Sequence, residues 1–520
     1  MFFNRTFLLT CIIGLGACLR FYQISSAPSA INYDEALNGL TAIQILDGKY
    51  PELLSFDDGR EPLHFYLASL SISIFGNTPG ALRLPFVTCS LLLVFIVYLI
   101  SKELYGVKVG MIASLLCACT VWTMYLGRYA TRSVLFGLVA GIAFYCALCA
   151  WRINKTSIWL LSGFWIGVSY YTYPINLFVI PTIVFVFFGT YLWSRDKFLS
   201  NRRGILLMVL LMLLISSPMF ISRIQLVEQS FGRPRSLSVF YEGQTYYEML
   251  RTLFTQLALV GRMFFIRGDY NPLHNIPGRP VFDLFMIVPF VFGIARLFNK
   301  NDKMRGLLVV FWIMIFLLPT LLSKNAPHFL RSVGILPIIF VVPALGCVAI
   351  IDLLKHYFGK LLSIMIASGL LLGSLTISIR DFLFDDFLNE PYVYRAYHGD
   401  ETLLALEINN RLIIGWIGNN LWALPNQEHT QVWVDPDVWH RSRYAEFLVG
   451  AEPNLINGLT LLSKASIFPS TGGAIFVHPR NYDVWVKHIS QDKDIYIDTG
   501  PWLYDSFSNT SESLYRIISW

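Results

Sequence analysis

The chain has 520 residues, of which 55% are hydrophobic and only 14% charged, and its mean hydropathy is +0.54. A soluble domain carries roughly 25% charged residues, so composition excludes an ordinary soluble globule and indicates a polytopic α-helical membrane protein. The formal net charge of +6 arises from Lys and Arg in short loops between apolar runs, where such residues set orientation; it does not indicate a nucleic-acid partner.

In chain order, the N-terminus resembles a signal peptide, with Arg5, an apolar stretch and then "SSAPSA". Arg20 closes that stretch and further apolar runs follow, so an uncleaved first helix is expected. Runs long enough to cross a bilayer, about 17 to 25 residues each, lie near 6–22, 81–101, 107–126, 131–151, 156–172, 174–193, 204–221, 281–298, 306–322, 330–351 and 360–379. About eleven spans are therefore expected by the length of a hydrocarbon core. The run 62–76 is short and contains His64; laying it along the interface places "SKELYGVK", "RINK", "SRDKFLSNRRG", "RLFNKNDKMR" and "KHYFGK" inside, all short and basic. The active face and the residues beyond 380 are then outside the inner (plasma) membrane.

All eight cysteines, at 11, 18, 89, 117, 119, 146, 149 and 347, fall inside apolar runs, so the water-facing parts offer no thiol for a disulfide or a thiolate metal site. From about residue 381 the texture changes to "QVWVDPDVW", "GAIFVHP" and "DIYIDTG", β-rich runs bounded by Gly, Pro and Asp. The expected organisation is a membrane domain over 1–380, with outer loops at 23–80 and 222–280, and an extracytoplasmic α/β domain over 381–520. The sequon at Asn509 falls in the latter.

Chemistry-bearing residues converge on the outer face. "INYDEALNGL" holds the adjacent acids Asp34 and Glu35. They suit the first turn of a helix, where acids favour the dipole; equally, a carboxylate at headgroup depth can accept a proton from a hydroxyl. Leu37, Leu40, Ile43 and Leu46 repeat as in a helix lying flat on a bilayer, and Tyr247, Leu250, Leu253, Phe254, Leu257 and Phe264 predict a second one. Arg128 and Arg132 are four apart in "LGRYATR", and His328 and Arg331 three apart in "PHFLR". Helical spacing would put each pair on one face, suited to a lipid phosphate or to anchoring a span end. "DDGREPLH" (57–64) offers Glu61 beside Pro62, and the Gly/Pro/Asn-rich "GDYNPLHNIPGRPVFD" (268–283) centres on His274, which could be a metal ligand, a phosphate partner or a structural hydrogen-bonder. No nucleotide-binding fingerprint is present.

Together the acid pair, "REPLHFYL", "GRYATR", "GDYNPLHNIPG" and "PHFLRSVGILP" resemble bacterial membrane glycosyltransferases of the C-type fold, related to protein O-mannosyltransferases and the aminoarabinose transferase of lipid A. The resemblance covers about residues 1–380. It implies transfer of one sugar, with inversion, from a polyprenyl-phosphate donor to a glycan, lipid or protein acceptor. It implies Asp34 as general base with Glu35 as its neighbour; Arg128, with Arg132, His328 and Arg331, as phosphate ligands; and a divalent metal ion on Glu61 and His274. "EPL" in place of a Lys-Pro-Pro-like stretch departs from the lipid A enzyme. Competing readings are a transporter or flippase of lipid-linked saccharides, which would bring charges to mid-membrane, and a non-catalytic scaffold of the same fold.

Overall fold

The computed structural model describes residues 5–50, 60–226, 236–299, 302–385, 391–418, 431–450, 453–463, 466–468, 472–489, 495–498, 502–504 and 511–520. Residues 57–59 of the "DDGREPLH" stretch, part of the 222–280 loop and Asn509 lie outside the described residues.

The apolar runs fold as helices. In order they include α1 (Arg5–Phe21), α2 (Tyr33–Leu46), α3 (Leu63–Phe75), α4 (Pro79–Tyr105), α5 (Val107–Cys119), α6 (Val121–Arg128), α7 (Ser133–Ile153), α8 (Thr156–Ser169), α9 (Val179–Trp193) and α10 (Arg195–Gln225). Among the described residues six segments are long and apolar enough to cross a membrane, and α5 with α6, bent by 54°, makes a seventh candidate. The longest, Phe329–Leu383, breaks at Gly359, whose φ of 76° only glycine adopts readily; this is the position of the expected "KHYFGK" turn between two runs. The runs at 156–172 and 281–298 form shorter apolar helices, and so does α3, whose 13 residues are too few to span. The chain is a multi-pass membrane protein.

By contacts the chain divides into two units: Met1–Tyr22, Tyr50–His64 and Pro85–Phe387, and Gln23–Lys49, Phe65–Leu84 and Leu388–Trp520. This is not a single cut at residue 380, because the segment carrying the acid pair groups with the C-terminal residues.

In the first unit, the break between α5 and α6 leaves helix-end carbonyls without intrahelical partners. Arg20, fully buried, answers them, donating from Nη1 to the Ala118 carbonyl at 2.7 Å and from Nη2 to the Cys117 carbonyl at 3.1 Å, with Nε on Ser90 Oγ at 2.9 Å. Glycines let other helices touch backbone to backbone: a Cβ at Gly293 would stand 1.9 Å from the Val342 carbonyl oxygen. The expected amphipathic helix is Tyr246–Arg262, opened by a Thr245/Glu248 capping box, with Tyr247, Leu250, Phe254 and Leu257 exposed. Phe264 falls beyond its end.

In the second unit, a five-stranded sheet runs β2-β1-β3-β7-β4. Its strands are β1 (Gln431–Val434), β2 (Leu459–Leu461), β3 (Gly473–Val477), β4 (Tyr496–Asp498) and β7 (Arg516–Ser519), while β5 (Trp502–Tyr504) and β6 (Ser511–Ser513) pair separately. Strand β1 is parallel to β2 and β3; β7 is antiparallel to β3 and β4. The central strand "GAIFV" is buried throughout because both faces are covered, and Trp433, Leu462, Ile475, Val477, Ile489 and Ile518 form a core. Helix α2 packs on the helix Arg443–Val449, where the Phe447 ring lies so close to Gly39 that a Cβ would meet it at 2.4 Å. The Ile31 N–H donates to Thr402 Oγ1 at 3.3 Å, tying the start of the acid-pair segment to the helix Gly399–Leu412.

Candidate active site

The two acids of α2 have different fates. Asn32 caps the helix and accepts from the Glu35 N–H at 2.9 Å, while Glu35 Oε2 accepts from the Asn32 N–H at 3.2 Å, a reciprocal capping box. Glu35 also takes both prongs of Arg83, Nε to Oε1 at 3.0 Å and Nη2 to Oε2 at 3.2 Å, and both side chains are wholly buried. Arg83 fastens the incoming loop as well, donating to the Pro28 carbonyl at 2.9 Å and the Ala30 carbonyl at 2.5 Å. Glu35 is thus a structural acid, satisfied on both oxygens, and the expectation that it stands beside Asp34 in the chemistry is corrected: it orients the turn that carries Asp34.

Asp34, half-buried, occupies the preceding position, and the cap is made without it. Around it in this unit, the Tyr33 ring meets Tyr444 edge-on at 6.4 Å and His398 stacks on Tyr444 at 5.1 Å. The Tyr444 hydroxyl is pushed up, chiefly by burial and then by the charges of Glu401, Tyr33 and Asp34. Burial, with the nearby Asp400 charge, raises the Glu401 carboxyl to about 7 against the pull of a Ser442 hydrogen bond. Neither Tyr444 nor Glu401 carries a local sequence signal. Arg83 had one, a lone arginine inside an apolar run.

In the first unit, Glu61 is buried and holds two guanidinium groups, Arg132 Nη1 on Oε2 at 2.8 Å and Arg223 Nη2 on Oε1 at 3.0 Å. Arg223 also donates to Asn176 Oδ1 at 3.0 Å, and the Arg132 guanidinium lies 5.6 Å over the Tyr173 ring. Of the two guanidinium groups on Glu61, that of Arg132, 16% exposed, is the more accessible.

Arg128 and Arg132 do not share a helix face. Tyr129 is extended (φ −89°, ψ 110°), so α6 ends at Arg128, and Arg132 is the cap of α7. Arg128 is fully buried, donates to the Leu19 carbonyl at 3.0 Å and to that of Tyr22, and lies 5.1 Å over the Phe382 ring. A cation on the last carbonyls of α1 is a structural closure, not an open phosphate ligand. His328 is extended before the 3-10 turn Phe329–Ile335, the Arg331 N–H donates to the His328 carbonyl at 3.1 Å, and Arg331 Nη1 donates to the Lys324 carbonyl at 3.0 Å.

The loop 268–283 is as rigid as its composition implies. The Gly268 N–H donates to the Gly278 carbonyl at 3.0 Å, that of Gly278 to the Asp269 carbonyl at 2.9 Å, and Asn275 Nδ2 to the Arg279 carbonyl at 2.7 Å. Arg279 Nε pairs with Asp381 at 2.8 Å. Within this frame Asp269, unflagged by the sequence, sits 3.2 Å from His274 Nδ1 and accepts from the N–H groups of Asn271 at 2.9 Å and Phe329 at 2.8 Å. The His274 and His328 rings are 4.7 Å apart. Burial alone would raise the Asp269 carboxyl, but the His274 bond, the two imidazoles and the Asn271 N–H bring it below the ordinary range. Burial, with the His274 and Arg331 charges, pushes His328 down to about 3 against the opposing Asp269 carboxylate, so it is neutral at pH 7. The pair expected to hold a divalent ion, Glu61 with His274, does not fit: both Glu61 oxygens are occupied by arginines whose charge opposes a cation.

Residues 59–221 match the family described as dolichyl-phosphate-mannose-protein mannosyltransferase. Among solved structures, the chain is similar to ArnT from Cupriavidus metallidurans bound to undecaprenyl phosphate, with a TM-score of 0.56 and 11% identity over 98% of this chain and 97% of that one. It is also similar to the oligosaccharyltransferase of Archaeoglobus fulgidus tethered with an acceptor peptide, with a TM-score of 0.53 and 13% identity over 95% and 69%. No curated protein matches the sequence. The likeness is one of fold, and the fold is that of the C-type membrane glycosyltransferases, as the sequence motifs implied.

Proposed function

Since the chain carries the C-type glycosyltransferase fold, we propose that it moves a single sugar, with inversion, from a polyprenyl-phosphate-linked donor to an acceptor on the outer face of the cytoplasmic membrane. The observation that carries the assignment of the base is the asymmetry of the acid pair. Glu35 is saturated by Arg83 and the cap, whereas Asp34, on the same rigid turn, keeps a half-buried carboxylate. In this reading Asp34 takes the proton of the acceptor hydroxyl. The oxygen then bonds to the anomeric carbon, the bond from that carbon to the phosphate oxygen breaks, and polyprenyl phosphate leaves with the electron pair.

Arg132 is the favoured partner of the donor phosphate, because its guanidinium is the more accessible of the two on Glu61. Arg331 is the second candidate, and Arg128 is a positioning residue. The similarity to a protein whose structure holds undecaprenyl phosphate supports a lipid-phosphate donor. Arg20 and Arg83 lie within apolar runs but are fastened to carbonyls, as structural bolts are, which favours an enzyme over a translocation path.

The test is transfer by the purified full-length chain from polyprenyl-phosphate sugars, with the acceptor class first narrowed by mass spectrometry of envelope glycans in a deletion strain. Asp34→Asn is expected to lower turnover by about 10²- to 10⁴-fold, the usual worth of a general base, at unchanged expression and melting temperature. Near-normal turnover would remove Asp34 as the base.

A further inference from the structure

Three metal-binding side chains meet in the first unit, sharing His274 but not Glu61 with the pair that the family resemblance indicated. One ligand atom each from Asp269, His274 and His328 lies within 4.8 Å of the others. The separations of 3.2 Å from Asp269 Oδ2 to His274 Nδ1 and 4.0 Å to His328 Nδ1 bracket the roughly 3.3 Å between neighbouring ligands of a tetrahedral ion with bonds of about 2.0–2.1 Å. His328 Nδ1 is buried without a hydrogen-bond partner, a cost that a ligand would remove.

From this geometry we infer that Asp269, His274 and His328 form a divalent metal site of the zinc class. Two imidazoles and one carboxylate are a donor set for a borderline ion; Mg²⁺ prefers carboxylates and water in octahedral array. Three protein ligands on a tetrahedral ion leave a fourth position for an exogenous oxygen.

The supporting shell is in place. Asp269 is aimed by the N–H groups of Asn271 and Phe329, and the loop is closed by Asn275 and by the Tyr125 hydroxyl donating to the Pro272 carbonyl. Such outer contacts fix ligand orientation and raise affinity. The ligands come from two segments, residues 269–274 and residue 328, and the Phe329 N–H on Asp269 locks them together. The site therefore exists only in the folded chain, and metal binding adds to stability. The inference concerns binding and does not depend on the sugar-transfer reading.

The experiment uses the full-length chain in detergent, stripped with a chelator, desalted and titrated with Zn²⁺ alone or Co²⁺ alone. Expected are about one Zn²⁺ per chain by elemental analysis, a higher melting temperature with Zn²⁺, visible absorption of four-coordinate Co²⁺, and no displacement by millimolar Mg²⁺. His328→Gln and Asp269→Asn should weaken Zn²⁺ binding at least tenfold, and Glu61→Gln should leave it unchanged. The inference is overturned if the wild-type chain retains no Zn²⁺ after desalting, whatever the variants do. It is also overturned if Mg²⁺ displaces Zn²⁺, or if His328→Gln, folded by gel filtration and melting, binds as tightly as wild type.

Discussion

Helix α2 and the loop 268–283 both hold acids on rigid backbone, and they use them in opposite ways. In α2 the two carboxylates are divided: Glu35 is wholly buried in its cap and on Arg83, and Asp34 is partly exposed. In the loop one carboxylate, Asp269, gathers several partners at once and leaves two imidazoles beside it. What separates the two acids of α2 is therefore burial and the Arg83 ion pair, not the letter or its neighbour in sequence.

The sharpest break of that comparison is Arg83→Met. It would strand a buried, charged Glu35 and withdraw donors from the Pro28 and Ala30 carbonyls, so a loss of about 3–5 kcal/mol is expected, read as a collapse in the yield of folded protein or a large fall in melting temperature. Asp34→Ala, one residue away from Glu35, should change stability by only about 0.5 kcal/mol. Equal losses in the two variants would erase the division of labour drawn for the acid pair.

The loop is sharpened by Gly268→Ala. A Cβ there would stand 2.0 Å from the Arg279 carbonyl oxygen and 2.9 Å from the Phe329 ring, so the turn must open. About 1–3 kcal/mol of destabilisation is expected from the overpacking. Because Asp269 is the next residue, Zn²⁺ affinity should fall as well. An alanine variant with wild-type melting and wild-type metal affinity would show that the loop does not need its tight closure.

The sequence made the helical layer legible because apolar length is a local property: α7, α9, α10 and the break at Gly359 all fall where hydropathy and turn residues put them. The C-terminal sheet was legible for the same reason, with "QVWV", "GAIFV" and the Tyr-Ile-Asp of "DIYIDTG" becoming β1, β3 and β4. Partnerships were not legible. Glu35 meets an arginine 48 residues away and Asp269 the N–H of a residue 60 away, and nothing in either local pattern encodes closure over such distances. Helical spacing misled for Arg128 with Arg132, because the backbone turns extended at Tyr129 between them. The grouping of 23–49 with 388–520 had no local signal at all.

A smaller effect tests the acid-pair unit through its third carboxyl. Glu401 is held up to about 7 by burial, with Asp400 adding and a Ser442 hydrogen bond opposing, and its Oε2 is buried without a hydrogen-bond partner. The ordinary value is 4.5, so between that pH and about 7 the folded chain holds a proton that the unfolded chain has released. Its stabilising contribution is complete below pH 4.5, declines as the pH rises through 7, and is absent above. A full shift is worth about 1.4 kcal/mol per unit; partial solvent access reduces it to about 1–2 kcal/mol in all. Melting in detergent should therefore be higher at pH 5 than at pH 8, and Glu401→Gln should flatten that slope. The same Glu401 charge acts on Tyr444, which also feels Asp34, so the substitution should move the pH profile of turnover while Arg132→Gln, in the other unit, should lower turnover without moving it. An unchanged slope in Glu401→Gln would mean that the pH dependence of this unit resides elsewhere.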